Sequence, residues 1–155
     1  MKVNCNDKGI RKSVEIIENG GVIIFPTDTV YGIGCNPYDV NAVKKIYEIK
    51  SRGKTKSLPV LASSIEIVKQ ITIIDEFTEK IVKKYWPGPV TLILKLKDKN
   101  LKKSLNLEDK IAVRIPNSVC TLKLLNKCNL IVGTSANVSG DSSFTKFADN
   151  FGLNI

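Results

Sequence analysis

The sequence predicts a single α/β domain with a twisted mixed sheet and flanking helices. Strand-like segments alternate with helix-like segments along the chain, which is the pattern of this fold class. The 155 residues match the length of one domain, and the chain contains no repeat, linker or low-complexity tract. Because 43% of the residues are hydrophobic and 25% are charged, we expect one globular unit over residues 1–155.

The first half of the chain is predicted to alternate helix, strand, helix and strand. Apolar residues recur at helical spacing in the helices and form short continuous runs in the strands. Gly20 ends the first helix, Pro26 ends the first strand, and Asp39 is the expected N-cap of the second helix. The four segments cover residues 7–19, 22–26, 39–50 and 57–63.

The second half is predicted to contain three further helices and three further strands. The helices cover residues 63–70, 74–86 and 118–127, and the strands cover residues 90–97, 110–116 and 129–136. The segment Trp86–Val90 (WPGPV) combines a tryptophan with two prolines, which indicates a packed corner at the start of a strand. Residues 141–155 look like the start of one more helix.

The chain contains no histidine, and this excludes several kinds of chemistry. It rules out Ser-His-Asp and Cys-His catalysis, and it rules out histidine-ligated metal within the chain. The four cysteines form no C-x-x-C pair, so we expect free, partly buried thiols in a reducing compartment: Cys5, Cys35, Cys120 and Cys128. The N-terminus resembles no signal peptide, and no apolar run reaches about 18 residues, so we expect a cytoplasmic protein without membrane contact.

Basic residues exceed acidic residues by 24 to 15, which gives a net charge of +9. They cluster in residues 44–56 and 95–103, where few carboxylates oppose them. Such a field favours a polyanion, either nucleotide phosphates or RNA, and composition does not choose between them.

Two polar loops are candidates for chemistry in the first half. Thr27, Asp28 and Thr29 follow a strand at its carboxyl end, where α/β folds place ligands, although turn-forming residues alone would also explain the loop. Residues 50–56 carry four cations, which suit either a clamp on phosphates or the negative end of a helix dipole. A P-loop is excluded here, because Glu48 stands where that motif requires glycine.

Two candidates lie in the second half. Arg114 interrupts an apolar strand, so its charge requires a partner, either a structural carboxylate or the carboxylate of a substrate. Residues 133–140 form a loop of small polar residues whose backbone N–H groups could approach an anion, or which could be a simple turn.

Taken in order, these segments resemble the YrdC-like family of L-threonylcarbamoyladenylate synthases. The segments that carry the resemblance are PTDTVYGIGCNP, KSR followed by KSLPVL, WPGPVTLIL, IAVRIP and TSANVSG. They lie between Gly21 and Gly140, which is about three quarters of the chain. The resemblance implies a mixed sheet curved around a basic cavity.

The resemblance also implies an activity and its partners. L-Threonine, bicarbonate and ATP, with Mg²⁺ carried by the ATP, would give threonylcarbamoyl-AMP and pyrophosphate. The product would serve the modification of adenosine in tRNA by a partner transferase. Thr29, Arg114 and Thr134 correspond to threonine-binding positions. The residues that correspond to nucleotide-binding positions are Lys50, Arg52, Lys56, Ser135 and Asn137, with Lys50 and Arg52 as the catalytic pair and no metal ligand.

Two alternatives to the synthase are a non-catalytic RNA-binding module that uses the basic cavity and a carbamoyl-transfer domain of the hydrogenase-maturation type. The family pattern continues beyond this chain with a Ser-Thr pair and an arginine near the ligands. We therefore expect residues 1–155 to fold without the family's C-terminal segment and to turn over slowly alone.

Overall fold

The computed structural model describes residues 1–53, 55–148 and 151–153, and it confirms the predicted α/β class. The six helices in these ranges are α1 (Asp7–Glu18), α2 (Val40–Ile49), α3 (Ile65–Ile71), α4 (Glu76–Tyr85), α5 (Lys99–Ser104) and α6 (Val119–Cys128). The eight strands are β1 (Ile23–Phe25), β2 (Gly32–Gly34), β3 (Val60–Ala62), β4 (Thr72–Ile73), β5 (Leu92–Leu96), β6 (Lys110–Arg114), β7 (Leu130–Val132) and β8 (Thr134–Ser135).

The strands form two sheets. The larger has the order β4-β5-β6-β3-β7, in which β3 and β6 run parallel and the other neighbours run antiparallel, so the predicted mixed sheet is confirmed. The smaller is antiparallel, with the order β1-β2-β8. The two sheets meet where the main-chain N–H of Val132 donates to the carbonyl of Cys35 over 2.9 Å.

Local capping explains where the helices begin. Asp39 is the N-cap of α2, as predicted, and its carboxylate accepts from the N–H groups of Asn41 and Ala42 at 2.9 and 3.0 Å. Such a cap contributes about 1 kcal/mol. The same arrangement recurs at the other helices, with Asn6, Ser64, Asp75, Asp98 and Ser118 as caps.

The large sheet separates two groups of buried apolar side chains. Val60 and Ala62 of β3 face the larger group, which includes residues of helices α2 to α5. Leu61, between them, faces the smaller group, to which α1 and α6 contribute Ile17 and Leu125. Strands β3 and β7 are therefore buried on both faces.

At β5 and β6 the second face of the sheet is open. Ile93 lies opposite Ala112, and its side chain is 71% exposed. Lys95 lies opposite Lys110, two residues along the same face. Because side chains alternate along a strand, Arg114 belongs to this face as well. The open face is thus basic, and Arg114 is the last residue of β6 on that face.

Several sequence-based expectations differ from the structure. Strands β2 and β4 and helix α5 were not predicted, and the expected strand over 129–136 is divided at Gly133 into β7 and β8. Residues 141–148 and 151–153 contain no helix, and the rest of the predicted terminal helix lies outside the described residues. No helix in the described part of the chain is long and apolar enough to cross a membrane.

The expectation of four free thiols is wrong for two of the cysteines. Cys5 and Cys120 form a disulfide with a Cα–Cα distance of 5.8 Å. It joins the segment before α1 to the first turn of α6, two helices that pack together in the smaller core group. Cys35 is free and buried, and Cys128 is free and half-buried.

Candidate functional site

Arg114 is held by three groups at the end of β6. Its Nε donates to the carbonyl of Gly88 at 2.9 Å, and its Nη1 donates to the hydroxyl of Thr29 at 3.1 Å. Its Nη2 forms an ion pair with the carboxylate of Asp28. Arg114 and Asp28 have side chains that are only 12% and 15% exposed. The sequence left open whether Arg114 pairs with a carboxylate of the protein or of a substrate. The structure contains the first of these pairs, with Asp28.

The loop after β1 presents Asp28 and Thr29 to Arg114. The Thr27 hydroxyl donates to the carbonyl of Val30 at 2.6 Å and accepts from the N–H of Thr29 at 3.1 Å, which closes a tight local turn. The carbonyl of Pro26, at the start of the loop, accepts hydrogen bonds from the hydroxyls of Ser118, the N-cap of α6, and Thr121 in its first turn. The base of the loop is thereby fixed, while Asp28 and Thr29 are exposed residues.

The tryptophan–proline segment forms a packed corner, as expected. Trp86 is buried, and its indole N–H donates to the carbonyl of Val90 at 2.6 Å. The corner also has a second role that sequence reasoning missed. The N–H of Gly88 donates to the carbonyl of Ile115 at 2.8 Å, which brings the Gly88 carbonyl to the guanidinium of Arg114.

Lys50 points into the protein rather than out of the helix end. The residue caps α2 and is 1% exposed. Its ammonium donates to the carbonyl of Ser135 and, at 2.6 Å, to the carbonyl of Asn137. Its own carbonyl accepts from the N–H of Ser139 at 2.9 Å. Lys50 therefore fastens the loop after β8 to the end of α2.

Arg52 and Lys56 lie on the segment that follows α2. The Arg52 guanidinium donates to the carbonyls of Lys56 and Ser57 at 3.1 and 2.9 Å, so it folds this segment into a compact turn. Lys56 itself is exposed. Lys54, the remaining cation of this cluster, lies outside the described residues. Exposed or half-exposed cations at this position suit contact with a phosphate chain.

The loop after β8 extends from the edge strand of the small sheet. Ser135 is paired with Gly32, and the N–H of Ala136 donates to the carbonyl of Tyr31 at 2.8 Å. Thr134 is buried. Asn137 is also buried, and its amide nitrogen donates to the carbonyls of Val138 and Asp141 at 2.7 and 2.9 Å. The structure thus joins this loop to the segment that follows Thr29 and to Lys50.

Aromatic side chains from the last described residues cover Tyr31. The ring of Tyr31 lies 5.6 Å from that of Phe151 and 6.1 Å from that of Phe147. The N–H of Tyr31 donates to the carbonyl of Phe144 at 2.7 Å. Phe144, Phe147 and Phe151 therefore support the back of the loop that carries Thr29.

The electrostatics of the site are dominated by cations. Burial, together with the nearby Arg52 charge, lowers the pKa of the Lys50 ammonium to about 8. Among the described residues, no group of three or more His, Cys, Asp or Glu side chains lies close enough to hold a metal ion. A separate groove of about 490 Å³ lies along residues 1–15, and it is lined by none of the predicted site residues.

Comparison with known proteins finds similarity over most of the chain. Residues 15–151 match the family model Sua5_yciO_yrdC, which is described as telomere recombination. The chain is 35% identical over 148 residues to the threonylcarbamoyl-AMP synthase of Bacillus subtilis. It is 34% identical over 137 residues to the threonylcarbamoyl-AMP synthase of Aliivibrio fischeri, and it covers 74% of that protein.

The fold is also similar to a solved structure with a bound amino acid. The crystal structure of Pyrococcus abyssi Sua5 complexed with L-threonine matches with a TM-score of 0.84 and 35% sequence identity over 94% of this chain. This chain spans 43% of that structure's chain and 43% of the B. subtilis relative.

Proposed function

Because the chain belongs to the Sua5/YciO/YrdC family, we propose that it forms threonylcarbamoyl-AMP from L-threonine, bicarbonate and ATP. The observation that carries the proposal is the contact between Arg114 and Thr29. The segment after Thr29 is bonded in turn, through Tyr31, to Ala136 of the loop that Lys50 fastens. A guanidinium beside a hydroxyl suits the carboxylate of an amino acid. The relatives named above supply the reaction class, and one of them was solved with L-threonine.

The proposed chemistry requires no enzyme-bound nucleophile. The amine of threonine takes up the carbon of bicarbonate with loss of water, and the resulting carbamate oxygen attacks the α-phosphorus of ATP. The bond between the α-phosphorus and the bridging oxygen breaks, and pyrophosphate leaves. Alignment of the two substrates and stabilisation of phosphoryl charge supply the catalysis, so the absence of histidine is no obstacle.

Each site residue then has a role. Thr29, Arg114 and Thr134 bind L-threonine, and Arg52 and Lys56 contact the phosphates. Lys50, expected to contact the nucleotide and to form the catalytic pair with Arg52, acts instead by positioning, because its buried ammonium is bonded to two carbonyls. Ser135 and Asn137 hold the nucleotide on the loop that Lys50 positions. Mg²⁺ enters with ATP and neutralises part of its charge.

The product leads to the partners we propose. Threonylcarbamoyl-AMP is an activated acyl group, and a transferase would pass it to adenosine in tRNA. The basic face that carries Lys95 and Lys110 favours an anionic partner such as ATP or tRNA. We place this chemistry in the cytoplasm, where ATP and tRNA are present.

The test is pyrophosphate release from ATP by the 155-residue chain. Release should require both L-threonine and bicarbonate, and mass spectrometry should detect threonylcarbamoyl-AMP.

Arg114→Ala should raise the dissociation constant of L-threonine roughly 30- to 100-fold, because a charge-assisted contact contributes about 2–3 kcal/mol, while the affinity for ATP changes far less. Release without threonine, or an equal loss of both affinities, would contradict the proposal. Salt-sensitive RNA binding without any threonine-dependent turnover would favour the RNA-binding alternative.

A further inference from the structure

We propose that Asp28 determines the affinity and selectivity of the amino-acid site, because its carboxylate occupies Arg114 until the carboxylate of the substrate displaces it. This inference rests on the proposed function, since it takes L-threonine as the ligand of Arg114. It assigns Asp28 the role of an internal competitor, and it makes the ion pair part of substrate selection.

The ion pair accounts for the charge of Arg114 before substrate binds. Asp28 is the only carboxylate among the groups that hydrogen-bond the guanidinium within the described residues, and the other two, Thr29 and Gly88, are neutral oxygens. Both partners of the pair are largely shielded from water. A guanidinium in such a place keeps a negative partner, because an unpaired buried charge is costly.

A substrate carboxylate that enters the site would therefore find Arg114 already paired with Asp28. One guanidinium balances one negative charge, so two carboxylates at Arg114 would leave an unbalanced charge in a shielded place. Exchange of one carboxylate for the other avoids this cost. A neutral ligand cannot make the exchange, because it would leave Arg114 without a negative partner.

The loop is built so that Asp28 can leave without disturbing its neighbours. Thr27 is bonded to the carbonyl of Val30 and to the N–H of Thr29, and Pro26 is bonded to α6. None of these bonds involves the side chain of Asp28. Asp28 is an exposed residue, so rotation of the side chain carries the carboxylate toward water while Thr29 remains beside Arg114.

The decisive variant is Asp28→Asn, which keeps an oxygen that accepts from the guanidinium and removes the competing charge. Titration calorimetry with the full chain should show L-threonine binding roughly 5- to 30-fold tighter than in the unmodified protein, the ratio that corresponds to one or two kcal/mol. L-Threoninamide, which lacks the carboxylate, should change by less than about twofold. Asp28→Glu, which retains the charge, should bind L-threonine like the unmodified protein.

Glu108→Gln is the matched control, because it removes one negative charge from an exposed position and should leave both affinities unchanged. A gain in affinity cannot result from damage to the fold, so tighter binding of threonine alone supports the inference. Weaker or equal threonine binding by Asp28→Asn, with normal binding by the unmodified chain, would overturn the inference and leave the proposed function standing. Equal gains for threonine and threoninamide would also overturn it. Failure of the unmodified chain to bind L-threonine would overturn both.

Discussion

Replacing Lys50 with methionine tests whether the ammonium organises the loop of the candidate site. Methionine keeps the length and apolar character of the lysine stem, so the packing at this 1% exposed position is preserved. The change removes two hydrogen bonds, to the carbonyls of Ser135 and Asn137. Both acceptors lie on the loop that follows β8.

The expected loss of stability follows from these two bonds. Methionine leaves both carbonyls without this donor, and an unpaired buried acceptor costs about 1–3 kcal/mol, while removal of the desolvated charge offsets part of the total. We expect Lys50→Met to lower the free energy of unfolding by about 2–4 kcal/mol. For a chain of this size, that corresponds to a fall of about 5–15 °C in melting temperature.

Thermal unfolding measures the global effect, and hydrogen exchange measures the local one. The N–H of Ser139, which donates to the Lys50 carbonyl, should exchange faster in Lys50→Met than in the unmodified protein. Lys123→Met, at an exposed position of α6, is the control and should stay within about 0.5 kcal/mol. If Lys50→Met matched this control in both measurements, the role of the ammonium in holding the loop would be refuted.

Two further predictions concern pH and the disulfide. Because burial lowers the pKa of Lys50 from 10.5 to about 8, the unfolded chain binds a proton that the folded chain lacks between these values. The stability of the unmodified protein relative to Lys50→Met should therefore increase as pH rises through that window, as measured by urea unfolding, and a decrease would contradict the assignment. The Cys5–Cys120 disulfide links residues 115 apart, so dithiothreitol should lower the melting temperature by about 5–15 °C, from a loss of about 2–4 kcal/mol. Cys5→Ser should melt at the lower temperature with or without the reductant, and a reductant effect that persists in this variant would contradict the prediction.

Periodic helices and apolar strands were predictable from sequence, whereas β2, β4 and the short helix α5 were not. The helix capped by Asp39 was found because its cap and its apolar spacing are both local signals. Strand β2 consists of Gly32, Ile33 and Gly34, and its two glycines carry no strand signal. It forms because β1 and β8 pair with it on either side, which no local pattern reveals.

The candidate site was predictable as a set of residues but not as a set of contacts. An arginine in an apolar strand required a partner, and Asp28 is the only acidic residue between Val22 and Tyr38, a signal that could have identified the pair. The direction of Lys50 was not predictable, because a lysine at a helix end can point outward or inward with the same sequence. The disulfide was missed since nothing in the spacing of Cys5 and Cys120 marks them as neighbours.

The two sheets approach each other closely at Gly34, which has no side chain. A Cβ at this position would lie 1.9 Å from the carbonyl oxygen of Val132, so no side chain fits between the strands. Strand β1 of the small sheet is followed by the loop with Thr29, and strand β6 of the large sheet ends at Arg114. The absence of a side chain at Gly34 therefore keeps the strand that follows the Thr29 loop close to the large sheet that carries Arg114.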